Sequence, residues 1–195
     1  MKVAIIDYGA GNIKSLQFAL ERLGITGYLS SDPEQISNAD KVIFPGQGAA
    51  KSAMAMLKVK GLDLLIPQLQ QPVLGICLGM QLLCDYTEEG DVKALGIIPG
   101  KVLRFPNQVK VPQMGWNTIS ETQTAIFHDI KPNEFMYLVH SYFVPILPET
   151  IAVSTYHRPY SVALNKDNFY GVQFHPEKSS KAGQQLLQNF LNIGK

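Results

Sequence analysis

One stretch limits the fold of this chain more than any other: Val73-Leu74-Gly75-Ile76-Cys77-Leu78-Gly79-Met80-Gln81. An apolar run of strand character enters Gly-x-Cys-x-Gly and continues at once as a helix. That is the pattern of a nucleophile elbow with cysteine in place of serine, the turn by which a sheet strand feeds a covering helix. Gly75 and Gly79 let the backbone bend sharply with neighbours close by. The bend would lift the Cys77 sulfur out of the sheet at a helix N-terminus, where the dipole favours negative charge. It would also leave the Leu78 N–H facing an oxyanion. The competing reading is a buried cysteine in an ordinary strand-to-helix turn.

The surrounding sequence fits such a sheet. Val3-Ala4-Ile5-Ile6 and Val42-Ile43-Phe44 are continuous apolar runs, as expected of strands covered on both faces. The first is followed by a turn at Gly9-Ala10-Gly11-Asn12, and Ile13, Leu16, Leu20 and Leu23 then recur at helical spacing, with Gly24 as a stop. Further helices are expected over part of Ala49–Leu57, in the stretch before Pro72, and after Cys77. This alternation predicts an α/β fold with a mostly parallel central sheet and helices on both faces. Beyond about residue 90 the texture changes. Short strand candidates at 102–105, 116–119, 135–139, 152–156, 161–164 and 169–174, separated by Pro, Gly and Asn turns, predict an antiparallel β region added to the main sheet. A closing helix is expected over Ser180–Leu191. With no repeat, low-complexity segment or linker, residues 1–195 read as a single domain.

Composition excludes several function classes. Formal net charge is +1, which gives no electrostatic ground for nucleic acid or an anionic membrane as partner. No apolar stretch approaches the length of a spanning helix, and the N-terminal run meets Asp7 too soon for a signal peptide. Cys77 and Cys84 are the two cysteines; on or beside one helix they would lie roughly 10 Å apart, too far for a disulfide. The chain reads as cytoplasmic, with free thiols.

Two other segments complete a chemistry around Cys77. Gly171-Val172-Gln173-Phe174-His175-Pro176-Glu177 is a strand that ends by presenting His175, with Glu177 two residues on. Pro176 biases His175 toward extended backbone, so imidazole and carboxylate can leave the chain on the same side. A base oriented by an acid is what a cysteine nucleophile requires, although His-Pro-Glu alone also marks a capped helix start. Phe44-Pro45-Gly46-Gln47-Gly48-Ala49 is a strand ending in a glycine loop, whose amides could supply a second oxyanion donor. The competing readings are a plain turn or a phosphate loop, but the Lys and Ser/Thr that a phosphate loop needs are missing. No cofactor fingerprint is present, since Gly9-Ala10-Gly11 is followed by Lys14 where a third glycine would stand. No His/Cys cluster has metal-ligand spacing, so no metal is expected. His128 and His157 lie in polar, loop-like surroundings and read as solvated.

These three pieces, in this order, resemble the class I glutamine amidotransferases. Asp7–Asn12, Pro45–Gly48, Thr87–Gly90, Val111–Asn117, Val139–Tyr142 and His175–Ser180 together look like the glutaminase subunits of imidazole glycerol phosphate synthase, and the likeness runs along nearly the whole chain. The resemblance implies a flavodoxin-like fold and a glutaminase in which Cys77 attacks, His175 moves protons and Glu177 orients the imidazole. Leu78 with Gly46, Gln47 and Gly48 would hold the oxyanion, and Gln81 with His140, Ser141 and Tyr142 would grip glutamine. It also implies a heterodimer with a (β/α)8-barrel cyclase, which uses the ammonia to make imidazole glycerol phosphate and AICAR in histidine biosynthesis. Asn12, Met114, Trp116, Tyr137 and Lys178 match positions near that interface, with core packing as the other reading of Met114 and Trp116. Gln47 and Gln113 depart from the family pattern, outside the catalytic set, at positions expected to bear on regulation or partner contact. The alternatives in other classes are a cysteine hydrolase or peptidase of similar fold, and a catalytically silent binding subunit.

Overall fold

The apolar runs become strands buried on both faces, in a computed structural model that describes residues 1–9 and 13–194. In chain order the elements are β1 (Val3–Ile6), α1 (Lys14–Glu21), β2 (Gly27–Ser30), α2 (Pro33–Ser37), β3 (Lys41–Phe44), α3 (Ala50–Val59) and α4 (Leu62–Leu65). The elbow region follows as β4 (Val73–Ile76), α5 (Leu78–Leu82), β5 (Cys84–Thr87) and β6 (Val92–Lys93). The second half contains β7 (Ile98–Arg104), β8 (Gln113–Ile119), β9 (Glu134–His140), β10 (Tyr142–Phe143), β11 (Thr150–Tyr156), β12 (Arg158–Lys166), β13 (Phe169–Val172) and α6 (Ser180–Asn192).

The main sheet has the order β11-β12-β13-β4-β3-β1-β2. Its strands from β13 to β2 are parallel, and β12 and β11 extend it antiparallel. Alternate side chains enter opposite core clusters: Val3, Ile5, Ile43, Leu74 and Ile76 pack on one face with α1 and α6, while Ala4, Ile6, Val42, Phe44 and Val73 pack on the other with α2 to α5. Because both faces are dry, the strand sequence is apolar throughout and does not alternate with polar residues.

The turn expected at Gly9–Asn12 falls largely on residues 10–12, which lie outside the described residues. The added antiparallel β region is present and is distributed over more than one sheet. The β11–β12 hairpin joins the main sheet, β8 and β9 form a two-stranded ladder of their own, and β10-β7-β5-β6 is a separate sheet in which β5 and β7 run parallel. Cys84 belongs to β5, since α5 ends at Leu82, and both thiols are free.

β2 and α2 carry no expectation from sequence, for separate reasons. Edge strand β2 is only partly covered and lacks an apolar run. Helix α2 is one short turn, although Asp32 caps it by accepting from the Glu34 and Gln35 amides, with Pro33 at its first position.

Candidate active site

The parallel pairing of β4 and β13 explains how residues far apart in sequence meet. Their register sets Val172 beside Ile76, and the Cys77 amide donates to the Val172 carbonyl at 2.8 Å. Both chains therefore leave the sheet at the same carboxyl edge, the usual place for a site in a sheet of this kind. One emerges as Cys77 and the other as Gln173-Phe174-His175.

Cys77 has φ 54° and ψ −110°, a left-handed backbone on a residue with a side chain. Such strain persists only where the surroundings enforce it. Here the enforcement is close packing. A Cβ on Gly75 would lie 2.8 Å from the Met80 nitrogen, and one on Gly79 would collide with the Phe44 carbonyl oxygen. A Cβ on Gly46 would likewise run into the Leu78–Gly79 peptide. The start of the glycine loop is thus seated directly on the elbow, and the Tyr8 hydroxyl holds it from behind by donating to the Pro45 carbonyl at 2.9 Å. Gly48 has φ +94° and is exposed.

His175 is buried and has the extended backbone expected before Pro176. Its Nδ1 lies 2.9 Å from Glu177 Oε1. A carboxylate only accepts, so Nδ1 carries the hydrogen and Nε2 is left for Cys77. Burial pulls the imidazole pKa down, but hydrogen bonds to Cys77 and Glu177 and their charges outweigh it and raise it to about 10. Glu177 is buried too, and its second oxygen has no partner among the described residues.

A cavity of about 510 Å³ opens over the sulfur. Of the sequence candidates, Gly46, Gln47, Gly48, Cys77, Leu78, Gln81, His140, Ser141, Tyr142 and His175 all line it, while Glu177 stands behind His175. Gln81 is buried, and its nitrogen donates to the Tyr142 carbonyl at 3.0 Å and to Gln173 Oε1 at 2.8 Å. His140 Nδ1 donates to the Tyr142 carbonyl at 2.7 Å, which leaves Nε2 as acceptor, 3.3 Å from the Tyr160 hydroxyl. Desolvation lowers the His140 pKa to about 4, against the Tyr142 hydrogen bond and with help from nearby His175, so this imidazole is neutral at physiological pH.

The structure adds three groups that the sequence reading did not single out. Glu89 lines the cavity, and its carboxylate also accepts from the Ala50 amide at 3.0 Å, closing the start of α3. Burial raises its pKa, with that hydrogen bond opposing. The Val139 carbonyl lies 3.7 Å from the Cys77 sulfur, and the Gln173 amide nitrogen donates to the same sulfur at 3.6 Å. A signal for Gln173 existed, as a lone amide inside the apolar run Gly171–Phe174.

The interface candidates divide. Asn12 lies outside the described residues. Met114 and Trp116 are 66% and 52% exposed, which settles against core packing. Tyr137 is half-buried on β9 with its ring 6.0 Å from that of Trp116. Lys178 is exposed and borders the cavity itself. The two family departures lie in different surroundings. Gln47 lines the cavity beside Cys77, and Gln113 is buried, with the Tyr160 hydroxyl donating to it at 3.2 Å behind His140. His128 and His157 are exposed. Among the described residues no group of three His, Cys, Asp or Glu could hold a metal ion, and no helix is long and apolar enough to cross a membrane.

Comparison with known proteins agrees with this geometry. The family model described as "Glutamine amidotransferase class-I" matches residues 4–193. The chain is 53% identical to the imidazole glycerol phosphate synthase subunit HisH of Bacteroides fragilis (strain YCH46), covering 99% of this chain and 100% of that one. It is 45% identical to the HisH subunit of Vibrio parahaemolyticus, with 98% of each chain covered. Among solved structures, PurLQS from Thermotoga maritima superposes with a TM-score of 0.77 at 16% identity, covering 100% of this chain and 99% of that chain, a likeness of fold.

Proposed function

The chain belongs to the class I glutamine amidotransferases and, within them, to the HisH subunits of imidazole glycerol phosphate synthase; from that premise we propose how its own residues perform the reaction. The protein is a glutaminase that supplies ammonia for histidine biosynthesis. The observation that carries the residue assignment is the strained elbow of β4, which sets Cys77 against the His175–Glu177 pair delivered by neighbouring β13.

Cys77 sulfur attacks the side-chain amide carbon of glutamine, and the carbonyl electrons move onto oxygen. The Leu78 amide and those of Gly46, Gln47 and Gly48 are the donors for that oxyanion; one such donor typically supplies about 3 kcal/mol of transition-state stabilisation. His175, whose raised pKa keeps a proton on the imidazole beside an anionic sulfur, gives that proton to the departing nitrogen as the C–N bond breaks. Ammonia leaves, and a γ-glutamyl thioester remains on Cys77. Neutral His175 then takes a proton from water, the resulting hydroxide attacks the thioester, and glutamate and the free sulfur are regenerated. Glu177 holds the ring in one tautomer and stabilises its positive form.

Glutamine is a zwitterion with an amide end, and the cavity offers groups for each part. Glu89 and Gln81 Oε1 suit the ammonium, and the His140–Tyr142 segment suits the carboxylate. The partner is a (β/α)8-barrel cyclase that takes the ammonia, making the assembly a heterodimer with lyase activity. The face of exposed Met114, Trp116 and Phe135 and half-buried Tyr137, with Lys178, is its docking surface; Asn12, the other interface candidate, lies outside the described residues. The two free thiols agree with a cytoplasmic location, and residues 1–195 act as one domain.

Replacing Cys77 by Ala tests this reading. In the assembled synthase, glutamine-dependent synthesis should vanish while synthesis from ammonium salts continues. Equal loss of both would contradict it.

A further inference from the structure

We propose that Gln173 is a positioning residue for this reaction: one side-chain amide that fixes the orientation of Gln81 and donates a hydrogen bond to the attacking sulfur of Cys77. The proposal rests on the assignment of Cys77 and Gln81 above, and it adds a group that neither touches glutamine nor exchanges a proton with it.

Gln173 is fully buried, in the short stretch between β13 and His175. A buried amide is costly unless its hydrogen bonds are made, and here both ends are used. Its oxygen accepts from Gln81 Nε2 at 2.8 Å, and its nitrogen donates to Cys77 Sγ at 3.6 Å. Direction matters more than number. An amide nitrogen has two hydrogens, and those of Gln81 are spent on the Tyr142 carbonyl and on Gln173. A flipped Gln81 would set its oxygen against two other oxygens, so only one orientation is stable. Gln81 Oε1 is thereby left as an acceptor for the cavity, suited to a donor such as an ammonium.

The same logic passes one step further. Because Gln173 oxygen is committed to Gln81, its nitrogen must face the sulfur. The sulfur also faces the Val139 carbonyl at 3.7 Å, which suits a thiol hydrogen but repels an anion. The Gln173 N–H offsets that repulsion once the proton has moved to His175, and charge strengthens such a bond. Substrate grip and nucleophile are thus joined through one amide.

The test uses the full chain for alkylation and the assembled synthase for kinetics. Gln173→Met keeps the side-chain shape and removes both bonds. Alkylation of Cys77 by iodoacetamide at neutral pH, read by mass spectrometry, should slow about fivefold or more, with fully buried Cys84 as the unreactive control. In the same variant kcat should fall about tenfold and KM should rise. Gln81→Leu should raise KM and, because it frees the Gln173 amide to turn, slow alkylation by no more than Gln173→Met does. The double variant should have a KM no higher than that of Gln81→Leu alone, because the two act on one contact.

Native alkylation and kcat in Gln173→Met would overturn the proposal, as would KM effects that multiply. If Gln173→Met fails to fold, Gln173→Glu at alkaline pH replaces it. That variant keeps an oxygen for Gln81 but turns an acceptor toward sulfur, so slowed alkylation with near-native KM is expected and native alkylation would refute the claim. Glutamate release by Cys77→Ala would sink the assignment of Cys77 as nucleophile, on which the proposal rests, whereas native-like Gln173→Met beside inactive Cys77→Ala sinks only the role given to Gln173.

Discussion

The cavity is lined by residues that follow strands β4 and β13 and by the end of β9 in the hairpin β8–β9, but the two regions are built differently. In β4 every residue is buried, and β13 is nearly so; β8 and β9 alternate and leave Met114, Trp116 and Phe135 in the open. Groups that must hold sub-ångström geometry follow the strands with no wet face. The hairpin leaves one face exposed, the one proposed above as the docking surface, and reaches the site through the Val139 carbonyl and His140. Backbone joins the two regions. The His175 amide donates to the Tyr137 carbonyl at 2.9 Å, the Tyr137 amide to Ser179 Oγ at 2.9 Å, and that hydroxyl to the His175 carbonyl at 2.7 Å. The strand segment that carries half-buried Tyr137, beside exposed Trp116, therefore also anchors His175.

If this contrast is right, damage on the sheet side should appear in chemistry and folding, and damage on the hairpin face in association. Glu177→Gln should lower kcat by about a thousandfold with little change in KM, because a neutral amide no longer stabilises imidazolium; steady-state glutamate release measures it. Gly79→Ala should cost about 3–4 kcal/mol in urea denaturation, since the added carbon collides with the Phe44 carbonyl.

The pH dependence of stability separates the regions more finely. His140, held neutral by burial, has a folded pKa of about 4 against 6.5. Its folded form binds fewer protons than the unfolded form in that window, so stability is complete above about pH 6.5 and falls as pH drops toward 4, by about 3 kcal/mol. His175 has the opposite sign. Its pKa is raised to about 10, so its contribution is complete below about pH 6.5 and is lost as pH rises through 10. Urea titrations across pH should show both limbs, and His140→Gln should flatten only the acid one. The smallest expected effect belongs to Trp116→Ala. Folding stability should stay within about 0.5 kcal/mol, while affinity for the proposed cyclase partner falls by about 2 kcal/mol, measured by calorimetry. A large folding loss with unchanged affinity would erase the distinction between the two regions.

The same contrast decides what could be read from the letters. The elbow was legible because Gly75 is demanded by contacts within a few residues, although Gly79 answers to the distant Phe44 carbonyl, and β1, β3 and β4 because two dry faces leave an unbroken apolar run. His175 and Glu177 were legible as a local pair. The link between Gln173, Gln81 and Tyr142 was not, since it depends on β13 lying beside β4 and on the direction of each amide. Strand β5 escaped notice because Cys84-Asp85-Tyr86-Thr87 follows α5 with hardly a break, and pairing with β7 makes it a strand. The letters said nothing of the burial of Gln113, whose side chain meets Tyr160 on β12.

The most direct measurement is mass spectrometry of the chain mixed with glutamine and quenched in acid during turnover. A γ-glutamyl adduct on the peptide holding Cys77, absent from the Cys84 peptide and from Cys77→Ala, is the expected result. Turnover of glutamine with no adduct on Cys77 in samples quenched across the time course would contradict the account.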